Sequence, residues 1–228
     1  MTRSLSSAPP AHPPGRRVAR QPAYSEHANT YNRKTGAFQR YRRAVVEALP
    51  VRPGQVVLDV GCGTGLCQGP LLDKVGPRGS AVGIEESPEM VAVARERIEQ
   101  EGWRNVTVVQ SSAEDAQIAP AADAALFCAV HDILQSPDAL RNVLSKLRPG
   151  AGVAAGGGKW APPWMVGVNL PVTMLHAPYV RSFEGFGRPW HHLEQLLEDV
   201  QVRELALGSG YILTGQAPLR TQSAAPGR

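Results

Sequence analysis

Three alternate glycines stand two residues after an acid in Asp59-Val60-Gly61-Cys62-Gly63-Thr64-Gly65, directly behind the apolar run Val56-Val57-Leu58. Without a Cβ, glycine accepts positive φ angles and lets the backbone pass close to a ligand. The negative charge beside this loop suits a cationic ligand group better than a pyrophosphate. The spacing is also Gly-x-Gly-x-Gly, not the Gly-x-Gly-x-x-Gly of dinucleotide sites. A second acid, Glu85, closes Ala81-Val82-Gly83-Ile84, twenty residues after Gly65. A carboxylate accepts two hydrogen bonds side by side, so Glu85 can take both hydroxyls of a ribose. His131 could act as a general base, since an imidazole titrates near neutrality. The same histidine could instead orient a helix start, with Asp132 as its cap.

These groups need elements that end together. Val56–Val60, Ala81–Ile84, Val106–Gln110 and Ala124–Val130 read as strands, with a fifth, glycine-rich one at Val153–Gly158. Helical spacing is found from Tyr41 to Leu49 and from Leu66 to Val75, and again from Pro137 to Leu147. Ser87-Pro88-Glu89 opens another helix, running to Glu101, with a capping hydroxyl, a first-turn proline and an acid at the positive end. Strands alternating with helices predict an α/β, doubly wound sheet, and ligands of such sheets sit beyond the carboxyl ends of the strands. Val200–Leu207 and Tyr211–Thr214 are separated only by Gly208-Ser209-Gly210, too short for a crossover helix, so this last pair is expected to be antiparallel. About seven strands result, mostly parallel with an antiparallel last strand. Residues 1–22 read as a disordered Pro/Ala/Arg-rich basic arm, 23–216 as one domain, and 217–228 as a disordered tail.

Val57-Leu58-Asp59-Val60-Gly61-Cys62-Gly63-Thr64-Gly65 resembles motif I of the class I S-adenosylmethionine-dependent methyltransferases, whose sheet is Rossmann-like. The resemblance continues in Gly83-Ile84-Glu85-Glu86-Ser87-Pro88-Glu89-Met90, in Gln110-Ser111-Ser112-Ala113-Glu114-Asp115 and in Leu147-Arg148-Pro149-Gly150. Tyr24-x-x-x-Ala28-x-x-Tyr31-Asn32 is similar to the opening segment of the small-molecule and lipid branch related to ubiquinone-biosynthesis enzymes. The resemblance implies S-adenosylmethionine as cofactor. Gly61, Gly63 and Gly65 would pass its methionine part, Asp59 would support its ammonium, Glu85 would hold the ribose and Met90 would pack on the adenine. Ser112 stands where the family often has an aspartate facing the adenine amino group, which shifts weight to Glu114, with Ala113 among the cofactor contacts. Cys128 completes the contacts, while Tyr31 and Arg42 would lie near the methionine end. Tyr31 joins His131 as a catalytic candidate.

Composition bounds the rest. In 228 residues, 43% hydrophobic and 19% charged, there is no apolar run long enough for a membrane span. Cys62, Cys67 and Cys128 lack metal spacing and are read as small fillers in a reducing, cytoplasmic compartment; no metal site is expected. Residues 1–43 hold nine Lys/Arg and one acid, net +8, which leaves −4 for the remainder of the +4 chain. That arm is read as solvated, with RNA as the alternative partner. Residues 160–192 hold six of the thirteen aromatics and read as a lid-like insertion or a subunit contact, the latter leaving a homodimer open. His176, His191 and His192 read as surface or packing residues. Ala129-Val130-His131-Asp132 lacks the Asn/Asp-Pro-Pro-aromatic motif of base-methylating enzymes. The expected substrate is a small, partly apolar molecule with an N, O or S acceptor. An NAD(P)-dependent oxidoreductase is the further alternative, disfavoured by the glycine spacing.

Overall fold

The computed structural model describes residues 38–119 and 121–219; the basic arm, Tyr31 and residues 220–228 lie outside them. Seven strands form one sheet: β1 (Val56–Val60), β2 (Ser80–Glu85), β3 (Val106–Gln110), β4 (Ala122–Cys128), β5 (Leu147–Gly158), β6 (Glu198–Leu205) and β7 (Gly210–Gln216). Their order is β3-β2-β1-β4-β5-β7-β6. The first five are parallel to one another, and β7 runs antiparallel to both β5 and β6. Parallel strands need covering on both faces. Helices α1 (Gln39–Ala48) and α2 (Gln68–Val75) bury Val45, Val46, Leu49, Leu71 and Val75 against Val57, Leu126 and Ala154. On the other face α4 (His131–Leu134), α5 (Pro137–Leu144) and α7 (His191–Glu194) bury Leu134, Leu140 and Leu193 against Leu58, Val60 and Phe127. Alternation along β1 therefore sends Leu58 and Val60 one way and Val57 the other.

Helix α3 (Pro88–Glu101) starts where its signals place it: Ser87 Oγ accepts from the Met90 N–H at 3.3 Å. Helix α2 starts at Gln68, so Pro70 falls in its first turn, where a missing N–H costs nothing. Several boundaries differ from expectation. Strand β4 stops at Cys128, not Val130, because Ala129 turns to a left-handed φ of 59°. Helix α5 stops at Leu144, short of Leu147, and β5 begins at Leu147, six residues ahead of Val153. The glycines that hid β5 let α1 lie on it: a Cβ on Gly156 would stand 2.5 Å from Val45 Cγ2. The tail, expected to be unstructured from 217, is paired at its first residue, where the Ala217 N–H donates to Ala151 O at 2.8 Å. Between β5 and β6 lies α6 (Val166–His176), in the aromatic-rich segment.

Candidate functional site

A cavity of about 860 Å³ opens at the carboxyl ends of β1, β2, β3 and β4. Arg42, Asp59, Gly61, Gly63, Glu85, Met90, Ser112, Ala113, Glu114 and Cys128 all line it, so ten of the residues singled out in the sequence come together. Gly65 does not line it. Its φ is 77°, and a Cβ there would sit 2.5 Å from the Gln68 amide oxygen, so its smallness serves α2 and not the cavity. Gly61, with φ 64°, backs onto Val130 and Ile133, whose atoms would be 2.6 and 2.9 Å from a Cβ. Only Gly63, at φ 55°, would carry a Cβ that meets nothing within 4 Å. Its bare face is turned to open space.

Glu85 does more than present a carboxylate. Its Oε2 accepts from the Gly63 N–H and its Oε1 from the Ser87 N–H, each at 2.9 Å. It thus latches the glycine loop to the start of α3. Burial pushes its carboxyl up, and these hydrogen bonds only partly oppose that. Behind the loop, Asp59 is 1% exposed, and its carboxyl is pushed up to about 7, by burial first and then by the Glu85 charge. Asp59 Oδ2 has no hydrogen-bond partner among the described residues. A buried acceptor left this way is costly unless a donor reaches it. Asp59 lines the cavity, so a cationic N–H group entering there would supply that donor. The residues present therefore fit an amino-acid ammonium beside a ribose held at Glu85.

The exit of β3 is engaged locally. Ser112 Oγ donates to Asp115 Oδ2 at 3.0 Å and accepts from the Asp115 N–H, closing its own turn. Glu114 Oε1 accepts from Ser136 Oγ at 2.6 Å and ties this turn to the start of α5. Arg42 is buried near Cys67, which shares a hydrogen bond with Cys128. That hydrogen bond and burial push the Cys67 thiol up, and burial does the same to Cys62; neither is poised as a nucleophile.

His131 is not brought to the cavity. Its Nε2 pairs with the Glu184 carbonyl at 3.0 Å, its ring meets Phe186 edge-on, and burial pulls its pKa down. Nor does Asp132 cap α4. Its carboxylate accepts from the Arg181 N–H at 3.2 Å and lies 3.7 Å from Arg181 Nε. Arg181 also reaches Glu86 at 3.5 Å, bridging from the β4 exit to the β2 exit, and it lines the cavity. Lying 53 residues beyond the end of β4, Arg181 had no local signal in the sequence. The six aromatics of 160–192 do not line the cavity; Trp160 stacks on Phe183, and both meet Phe186. No cluster of three or more potential metal ligands occurs among the described residues.

Comparison with known proteins agrees with this geometry. Residues 57–150 match the family described as a methyltransferase domain. The chain is 34% identical over 120 residues to aklanonic acid methyltransferase DauC of Streptomyces sp. (strain C5), covering 52% of this chain and 54% of that protein. It is 31% identical over 121 residues to the ubiquinone/menaquinone biosynthesis C-methyltransferase UbiE of Legionella pneumophila, covering 50% and 47%. The chain spans about half the length of the curated relatives it matches. Among solved structures, a SAM dependent methyltransferase from Aquifex aeolicus superposes with a TM-score of 0.59 at 20% identity, over 85% of this chain and 98% of that one. Order of strands, placement of the loop and family match converge: residues 57–150 are similar to the methyltransferase-domain family, and the chain shares the fold of the Aquifex aeolicus protein.

Proposed function

We propose that the cavity binds S-adenosylmethionine and that the protein transfers its methyl group to a small, partly apolar molecule. The observation that carries this reading is Asp59: a buried carboxylate whose Oδ2 has no hydrogen-bond partner among the described residues, near a glycine whose open face leaves room for a ligand. When bound, S-adenosylmethionine supplies a methyl group on a positively charged sulfur. Glu85 keeps lone pairs for the ribose hydroxyls after serving Gly63 and Ser87. Met90, 1% exposed and lining the cavity, offers a flat apolar contact for the adenine. Arg42 and Tyr31 stand at the methionine end in this reading, Tyr31 from outside the described residues. The acids of the lining favour a cationic donor.

Alignment then provides most of the rate. The lining holds no histidine among the described residues. An acceptor on N, O or S that must lose a proton would have to give it to one of the carboxylates of the lining. His131 serves through Glu184, by fixing the loop that carries Arg181. A volume of about 860 Å³ is in the range of small-molecule sites. Two relatives are named for aklanonic acid and for ubiquinone/menaquinone biosynthesis, which supports an acceptor of that size. Incubation with methyl-labelled S-adenosylmethionine and an extract of the source cell tests the proposal. Label in a low-molecular-weight product is expected; label confined to RNA would overturn the substrate class.

A further inference from the structure

Behind the glycine loop lies a second side chain with unmet hydrogen-bonding capacity. Gln68 is fully buried, yet neither its Nε2 nor its Oε1 has a hydrogen-bond partner among the described residues. With Asp59 Oδ2 these make three of the four such buried side-chain atoms, His131 Nδ1 being the fourth. Buried polar groups are rarely left unpaired, so three around one turn of chain call for a common explanation.

The sheet puts them on one face. Asp59 alternates with Leu58 and Val60, and so points with Val57 toward the side covered by α1 and α2. Its register partner on β2 is Gly83, one strand spacing away, roughly 4.8 Å. A Cβ on Gly83 would stand 3.0 Å from Gln68 Nε2 and 2.7 Å from Cys62 Sγ. The bare α-carbon of Gly83 is thus what admits the amide beside Asp59. Gly65 covers the other end of that amide, where a Cβ would stand 2.5 Å from Oε1, and Gly65 O accepts from the Gln68 backbone N–H at 3.2 Å. Asp59 lines the cavity and Gln68 does not. Gln68 therefore approaches Asp59 from behind, away from the side on which a ligand enters.

We infer that Gln68 is a positioning residue for Asp59: its amide N–H, through one bound water, holds the carboxylate from behind the glycine loop and leaves the remaining lone pairs turned to the cavity. A buried water bridges groups of this kind, accepting from Nε2 and donating to the carboxylate. A carboxylate has several acceptor sites, so an ammonium in the cavity does not compete with this bond. Hydrogen bonding to the charged form favours it, which opposes the burial and the Glu85 charge that act on Asp59. The other titratable groups near Asp59 are the thiols of Cys62, pushed up by burial, and of Cys67, pushed up by its hydrogen bond to Cys128 and by burial; Arg42 lies beside Cys67. The part Gln68 plays in donor binding rests on the ammonium proposed for Asp59; its link to Asp59 does not.

Carbon-13 NMR of the ligand-free, full-length protein labelled at the aspartate carboxyls tests the link, the Asp59 signal being the one missing from Asp59→Asn. Gln68→Met keeps the length of the side chain without its amide. It should raise the Asp59 midpoint by about one unit, a tenfold change in proton affinity. Gln68→Asn keeps an amide while losing a methylene, so it should lose stability and move the midpoint less than about half as far. An unmoved midpoint in Gln68→Met overturns the inference. So does an equal shift in both variants, which assigns the effect to packing. A second measurement needs no substitution at Gln68. In the wild type the Gln68 Nε2 signal should titrate with Asp59 and become independent of pH in Asp59→Asn; an Nε2 signal that ignores the Asp59 titration contradicts the link. All these titrations are made without ligand, so they succeed or fail whether or not S-adenosylhomocysteine binds.

Discussion

At the scale of single residues, the site turns on a carboxylate that the fold makes uncomfortable. Asp59 has a pKa pushed up to about 7 by burial and by Glu85. For an acid with a raised folded pKa, the stabilising contribution is fully present below its ordinary value and is lost as pH rises through the folded value. The ligand-free protein should therefore lose stability between about pH 4 and pH 7 from this group. Asp59→Asn removes that penalty. It should raise Tm at pH 8 and weaken S-adenosylhomocysteine binding roughly tenfold to a hundredfold, a loss of about 1.4–2.8 kcal/mol of the kind expected for a charge-assisted hydrogen bond. Differential scanning fluorimetry and calorimetric titration read the two effects, and a fall in Tm at pH 8 would contradict the assignment. Glu85→Ala removes both the proposed ribose acceptor and the latch on the Gly63 N–H. Its affinity should drop by a few kcal/mol at most, and a wild-type titration curve would remove Glu85 from the ribose.

At the scale of elements, the glycines of the loop divide their work, and substitutions separate it. Gly63→Ala puts a methyl into open space at φ 55°. The cost to folding is the backbone strain alone, of order 1–2 kcal/mol, while donor affinity suffers directly. Gly61→Ala drives a methyl against Val130 at 2.6 Å, so stability should fall further than for Gly63→Ala. Gly156→Ala pushes Val45 and with it α1 off β5, and chemical denaturation should show a loss of about 1–3 kcal/mol. Wild-type stability in that variant would mean that α1 does not depend on the bare strand. The elements themselves were legible wherever the cause is local. Ser87-Pro88-Glu89 fixes the start of α3 by its own chemistry, and Val106–Gln110 alternates between turns. The start of β5 was not legible, because its glycines answer to Val45 and Pro50 in another element. The end of β4 was missed because nothing in its sequence signals that Ala129 takes a left-handed φ.

At the scale of the whole molecule, the sheet order brings ten anticipated residues to one cavity and keeps His131 out of it. The spacing of Asp59, Gly61, Gly63 and Glu85 was readable because the first three act from the end of β1 and the last from the end of β2. The orientation of His131 was not readable, since the Glu184 carbonyl that holds it comes from a loop 53 residues away. Arg181 was hidden for the same reason: its partners Glu86 and Asp132 are assembled only by the fold. If Asp59 meets an ammonium as proposed it must be ionised, so donor affinity of the wild type should rise as pH climbs towards 7 and level off above that. In Asp59→Asn that slope should vanish, and a slope unchanged in the variant would assign it to another group.

The most direct test of the account is a titration of the purified protein with S-adenosylhomocysteine, run in parallel with NAD(H) and read by thermal shift and calorimetry. The account predicts one-to-one binding of the nucleoside thioether with a rise in Tm that grows with its concentration, and no rise with NAD(H). Stabilisation by NAD(H) with none by S-adenosylhomocysteine would contradict it.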